Sequence, residues 1–140
     1  MQEYIDTLRQ LNYELVKELG LFKRRANLSF SQRHILYHIQ QHVSLSIQEL
    51  AEILHVEHST MSRNIKKMVQ DGLIEIYQDE KDKRRKVIAL SPQGESRLAE
   101  ATESINQTIS KVLDVLNEKD IQAVIHGVSL YTESLRAKAK

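Results

Sequence analysis

Two short clusters of cations carry the most pointed chemistry in this chain. Arg63, Lys66 and Lys67 fall within five residues that contain no acid, and Lys81–Lys86 holds five cations around a single acid, Asp82. Guanidinium and ammonium groups grouped this way grip phosphate oxygens, and a guanidinium can also take the paired acceptors on a base edge. Ser59, Thr60 and Ser62 add short hydroxyls beside the first cluster. Arg63 is the candidate for a bidentate base or phosphate contact. Lys66 and Lys67 suit phosphates, which set register and salt dependence rather than sequence. In the second cluster Lys83, Arg84 and Arg85 can enter a minor groove, where arginine suits the negative potential of narrow A·T tracts. Asp82 cannot favour phosphate itself. It is placed to pair with Arg84, two residues on, and to hold the tip in shape.

Other chemistries find less support. With no cysteine the chain has no disulfide, thiolate metal site or thiol switch. The acids are scattered, and neither a Ser-His-Asp order nor a phosphate-binding glycine loop is present, so no enzyme and no cofactor are expected. His34, His38 and His42 recur every four residues, a spacing that lets neighbours share a helix face and take a metal. The segment 92–116 offers no histidine to complete such a site, and no metal is expected. Tyr13, Phe22, Tyr37 and His38 can line an amphipathic pocket for a small aromatic effector, or serve as plain core or interface residues.

The elements that must position the two cationic clusters follow from apolar spacing. Met61, Ile65, Met68 and Val69 stand at i, i+4, i+7 and i+8, which makes 58–72 a helix with a core stripe and an opposite polar face. Gly72 sits where a helix C-cap glycine belongs. Before it, 46–54 reads as a helix with Ser46 and Glu49 as a capping box. After it, LIEIYQ (73–78) and KVIALS (86–91) read as strands around a seven-residue tip, 79–85. Further helices are expected over 2–22, over 32–42 with Ser31 as cap, from Ser91-Pro92 to about 116, and over 118–138. Lys23-Arg24-Arg25 reads as a solvated basic linker.

Composition agrees with an ordered, helix-rich globular chain. Of 140 residues 41% are hydrophobic and 28% charged, with one proline, four glycines and a net charge of +1. No apolar run approaches the roughly 18 residues a spanning helix needs, and no signal peptide is visible, so a cytoplasmic protein without membrane contact is expected. The long first, fifth and sixth helices carry more apolar seam than a small domain needs, and a second copy of the chain would cover it.

The order of these pieces resembles one family. Leu28-Ser29 with Gln32, Leu50-Ala51, Ser59-Thr60-Met61-Ser62-Arg63 and Gly72-Leu73-Ile74 come first. Asp82-Lys83-Arg84 then starts eight residues before Leu90, and Leu90-Ser91-Pro92-Gln93-Gly94 closes the set. The set resembles the MarR (multiple antibiotic resistance regulator) family of winged-helix transcription factors, over nearly the whole chain. The resemblance implies a mainly α (α+β) winged helix-turn-helix core at 31–91, with 1–30 and 92–140 forming a helical dimerisation region. It further implies a homodimeric repressor of a pseudo-palindromic operator in double-stranded DNA. Recognition helices would enter successive major grooves about one helical turn apart, and wings the flanking minor grooves. A small ligand between the helical region and the winged core would release it. The alternative is a winged helix used as a protein-interaction module. The polar face of 59–67 speaks against it, because such a module needs exposed apolar anchors there.

Overall fold

The computed structural model describes residues 1–138. Six helices and one antiparallel hairpin follow in the order α1 (Gln2–Leu19), α2 (Phe30–Gln40), α3 (Ile47–Ile53), α4 (His58–Gln70), β1 (Ile74–Gln78), β2 (Lys86–Leu90), α5 (Pro92–Val115) and α6 (Glu118–Lys138). The chain divides into two compact units, one spanning Met1–Ser104 and the other beginning at Ile105. Among the described residues no helix is long and apolar enough to cross a membrane.

In the first unit the helix-turn-helix and hairpin close around one core. Leu28, Leu36, Leu45, Leu50, Met61, Ile65, Met68, Leu73 and Ile74 are its fully buried large side chains. They come from the turn before α2, from α2, α3, α4 and β1, and from the loops between them, so each element of the motif is fixed by apolar burial rather than by its own propensity. The hairpin runs Ile74 opposite Leu90 through Gln78 opposite Lys86. Leu45, before α3, adds a bridge to the other edge of β2, with Ile88 donating to its carbonyl at 2.8 Å. The wing is therefore rooted on both sides.

Helix ends explain where the boundaries depart from expectation. Helix α1 stops at Leu19 rather than 22, because Gly20 turns left-handed (φ 64°) and its N–H and that of Leu21 close on Lys17 and Val16. Helix α2 starts at Phe30 with Ser29, not Ser31, as cap. Gln32 N–H donates to Ser29 Oγ at 3.2 Å, and Ser29 N–H donates to Gln32 Oε1 at 2.8 Å. That reciprocal box satisfies two orphan donors at once, which Ser31 cannot match. Ser46 caps α3 as expected, taking the Glu49 N–H at 3.1 Å. At the end of α4 Gly72 adopts φ 79°, and Leu73 N–H returns to the Met68 carbonyl at 2.9 Å.

The start of α5 is locked onto the root of the wing. Ser91 N–H donates to Leu73 O at 3.0 Å, its hydroxyl donates to Gly72 O at 2.5 Å and accepts from Gly94 N–H at 2.9 Å. Gly94 lies so close to the Leu73 carbonyl that a Cβ there would come within 2.1 Å of its oxygen.

In the segment after α1 Lys23 and Arg24 are exposed, as their charges suggest, but Arg25 is not. Residues 25–28 form a tight two-residue turn with Ala26 and Asn27 at φ 51° and 59°, and Arg25 and Leu28 exchange backbone hydrogen bonds. Arg25 reaches inward, donating to Leu19 O at 2.9 Å and Ser104 Oγ at 2.7 Å. Arg33, buried in α2, donates to Leu21 O at 2.6 Å and lies over the Phe30 ring. The two guanidiniums thus hold the carbonyls at the end of α1, where a helix presents its negative pole. Burial, and then the neighbouring Arg25, lower the pKa of Arg33 from its ordinary value.

The second unit comprises the rest of α5 and α6, joined at Leu116-Asn117. Asn117 caps α6 by taking the Asp120 N–H at 2.8 Å. Ile109, Val112, Leu113, Val124, Ile125, Val128 and Leu135 all stay exposed there.

Candidate nucleic-acid interface

Helix α4 turns Met61, Ile65 and Met68 into the core, which leaves Ser59, Arg63 and Lys66 exposed along its outer side. Thr60 and Ser62 are half-buried at the flanks, and Lys67 is exposed on the Thr60 side. Within this set Arg63 Nη2 takes a hydrogen bond path to Thr60 Oγ1, donating at 3.2 Å, so the guanidinium is held one turn back toward the helix start. Ser59 donates to Glu57 Oε1 at 2.9 Å. A polar cleft of about 540 Å³ runs beside the Lys67 flank, with Arg24, Arg97 and Asp71 among its walls.

The wing tip is a folded loop rather than a loose one. Asp79 N–H donates to Arg85 O at 2.8 Å and Arg85 N–H to Asp82 O at 2.9 Å, which closes the strand ends. Asp82 Oδ1 accepts from the Arg84 N–H at 3.0 Å and from its Nε at 3.3 Å. The Arg84 side chain is nonetheless 93% exposed. Lys83 is exposed beside it.

Arg85 behaves differently from its two neighbours. Its guanidinium turns away from the tip onto Glu49 of α3, with Asp79 Oδ2 at 2.9 Å and Ser44 Oγ at 2.9 Å as further acceptors. The hydrogen bond from Arg85, helped by Ser46, holds the Glu49 carboxyl below its usual range. The Lys81 N–H, and then Arg85, do the same for Asp79. The sequence grouped Arg85 with the groove-facing residues, whereas the fold occupies its donors with protein acceptors. The sequence offered Glu49 only as a capping-box partner of Ser46 and did not single out Asp79, and the two complete this arrangement.

The aromatic candidates are dispersed. Tyr37 and His38 meet edge to face, 5.3 Å between centroids. Phe22 joins them only through Phe30 and His34: Phe22–Phe30 5.5 Å, Phe30–His34 5.6 Å, His34–His38 4.7 Å. Tyr13 and Phe22 are exposed. Burial, then His34 and His42, lower the pKa of His38. His42 sets Nδ1 2.6 Å from the His38 carbonyl. Among the described residues no group of three histidines or carboxylates is placed to hold a metal ion.

A helix-turn-helix whose second helix exposes hydroxyl and cationic groups, followed by an antiparallel wing, defines a winged-helix DNA-binding protein. Residues 28–86 match the model of the MarR family. The chain is 28% identical over 97 residues to the HTH-type transcriptional regulator BilQ of Clostridium symbiosum, covering 69% of this chain and 67% of that one. A Staphylococcus aureus MarR in complex with salicylate and kanamycin superposes with a TM-score of 0.76 at 19% identity, covering 97% and 92% of the two chains. Streptococcus pneumoniae FabT in complex with DNA gives 0.75 at 19% identity, covering 97% and 95%. Over residues 28–86 the chain is similar to the MarR family of DNA-binding transcriptional regulators.

Proposed function

We propose that the protein is a homodimeric repressor of a pseudo-palindromic operator, released by a small aromatic acid. The observation that carries the DNA reading is the exposed Ser59–Arg63–Lys66 side of α4 standing beside a wing whose tip presents Arg84. Arg63 reads bases in the major groove, Lys66 and Lys67 hold phosphates, and Arg84 with Lys83 lies in the flanking minor groove. The FabT complex with DNA supports this reading by likeness of fold. Selection of bound duplexes from a random library tests it: a two-fold related consensus is expected, and failure to enrich any sequence would refute it. Substituting Arg84→Ala is expected to weaken binding about tenfold, mainly at sites with A·T-rich flanks. Unchanged affinity at those sites, by fluorescence anisotropy, would remove the minor-groove role.

The dimer reading rests on apolar seams left open in each unit. In α1 Tyr4, Leu8, Leu11 and Leu15 are exposed at heptad-like spacing, and α5 and α6 expose the residues named above. Residues 1–30 and 92–140 would then form the dimerisation region. The effector reading rests on two guanidiniums, Arg25 and Arg33, whose hydrogen bonds go to carbonyls and a hydroxyl, with Arg33 lying over the Phe30 ring. A cationic, aromatic setting suits a carboxylate on an aromatic ring, and salicylate is bound in the Staphylococcus aureus MarR complex. Millimolar salicylate is expected to raise the melting temperature by a few degrees, about the linkage gain at saturating ligand, and to release DNA. Neither effect, with a series of aromatic acids, would refute the effector.

A further inference from the structure

The geometry points to Arg85 as a positioning residue that acts through Arg84, with Glu49 of α3 as its anchor. This rests on the DNA reading above and adds to it a carboxylate that strengthens DNA binding from outside the interface. Three features carry it. First, Arg85 spends its guanidinium on three groups from separate places: Glu49 in α3, Asp79 at the end of β1, and Ser44 before α3, where the Ser44 carbonyl is a fourth acceptor at 3.4 Å. A planar fork suits such bridging, and a lysine would not reproduce it. Second, its side chain is 27% exposed against 93% for Arg84, so the chain direction alternates one cation outward and the next inward. Third, the backbone of Arg85 closes the tip on Asp79 and Asp82, and Asp82 in turn orients Arg84. The bridge therefore ties the base of the tip to the helix that packs against α4. It sets where Arg84 stands relative to the recognition helix before DNA arrives, and preorganisation of this kind reduces the ordering cost of binding.

The two roles Arg85 could have give opposite signs at Glu49. If Arg85 touches phosphate, Glu49 competes for it and repels DNA, and Glu49→Gln tightens binding. If Arg85 positions the tip, Glu49→Gln loosens the bridge and weakens binding. The test uses the full chain, with the duplex that the wild-type protein enriches from a random library as probe, and anisotropy titrations of Arg84→Ala, Arg85→Ala, Glu49→Gln and the Arg84→Ala/Arg85→Ala double variant. Melting curves establish the folded fraction of each. Arg85→Ala and Glu49→Gln are each expected to weaken binding by about 3–10-fold. The double variant is expected to bind within about twofold of Arg84→Ala alone, because residues acting through one contact are not additive. Tighter binding by Glu49→Gln, losses that multiply in the double variant, or unchanged affinity in both single variants would overturn the assignment. Should Arg85→Ala fail to fold, the sign at Glu49→Gln still decides. Failure of the wild-type protein to enrich any duplex is seen before a variant is measured, and refutes the DNA reading itself.

Discussion

Substituting Arg63→Ala lowers affinity for the selected operator by about 1–3 kcal/mol and flattens the preference among sequences at one base position of each half-site. The magnitude follows from what a bidentate guanidinium supplies on a base edge. The location follows from α4, where Met61 and Ile65 bury one side and leave Arg63 near the middle of the other. Thr60 holds the guanidinium with a 3.2 Å hydrogen bond, which limits the rotamers lost on binding. Titrations on the selected duplex and on a scrambled one separate the two terms. A loss confined to the selected duplex marks base reading. An equal loss on both marks a phosphate contact and contradicts the assignment.

The second large effect is on stability. Substituting Gly94→Ala drives a methyl group to 2.1 Å from the Leu73 carbonyl oxygen, a backbone atom that cannot swing aside as a side chain does. Either α5 lifts off the wing root, or the hydrogen bonds around Ser91 open. Overpacking of this kind costs about 1–3 kcal/mol or more, about 3–10 °C in melting temperature for a chain of this size. Gly127→Ala in α6 is the internal control. Nothing lies within 4 Å of its would-be Cβ, so the same substitution is expected to raise helix stability by up to about 1 kcal/mol. Thermal melts of the two variants should move in opposite directions. A Gly94→Ala melt equal to wild type would contradict the close approach.

The sequence made the local parts of this molecule readable. The stripe of Met61, Ile65 and Met68, the glycine after α4, and Ser91-Pro92 each express a rule that acts over a few residues, and the helices and hairpin stand where those rules put them. The MarR pattern, read in order, assembled them into a winged helix. Ser29 was readable too, since Gln32 three residues on completes the box that Ser31 lacks. The readings that failed were non-local. Glu49 and Arg85 are 36 residues apart, and nothing in either neighbourhood says that one turns toward the other. Lys23 and Arg24 are solvated as expected, but Arg25 is not, which the charge run hid because the groups that take it up are a carbonyl and a serine, which carry no complementary charge. Arg33 left one hint: it precedes Leu36 by three residues, on the buried stripe of α2.

The fastening of α1 has a consequence for how the molecule should melt. No residue of that helix is buried, yet the carbonyls just at and beyond its end are gripped by Arg25 and Arg33. An 18-residue helix held this way spans about 27 Å, gripped at its end and with most of its residues exposed. An isolated helix of that length is marginal in water, so its order depends on whatever covers its seam. If a second copy does so, helix formation and association become one equilibrium, and the midpoint of unfolding becomes a function of protein concentration.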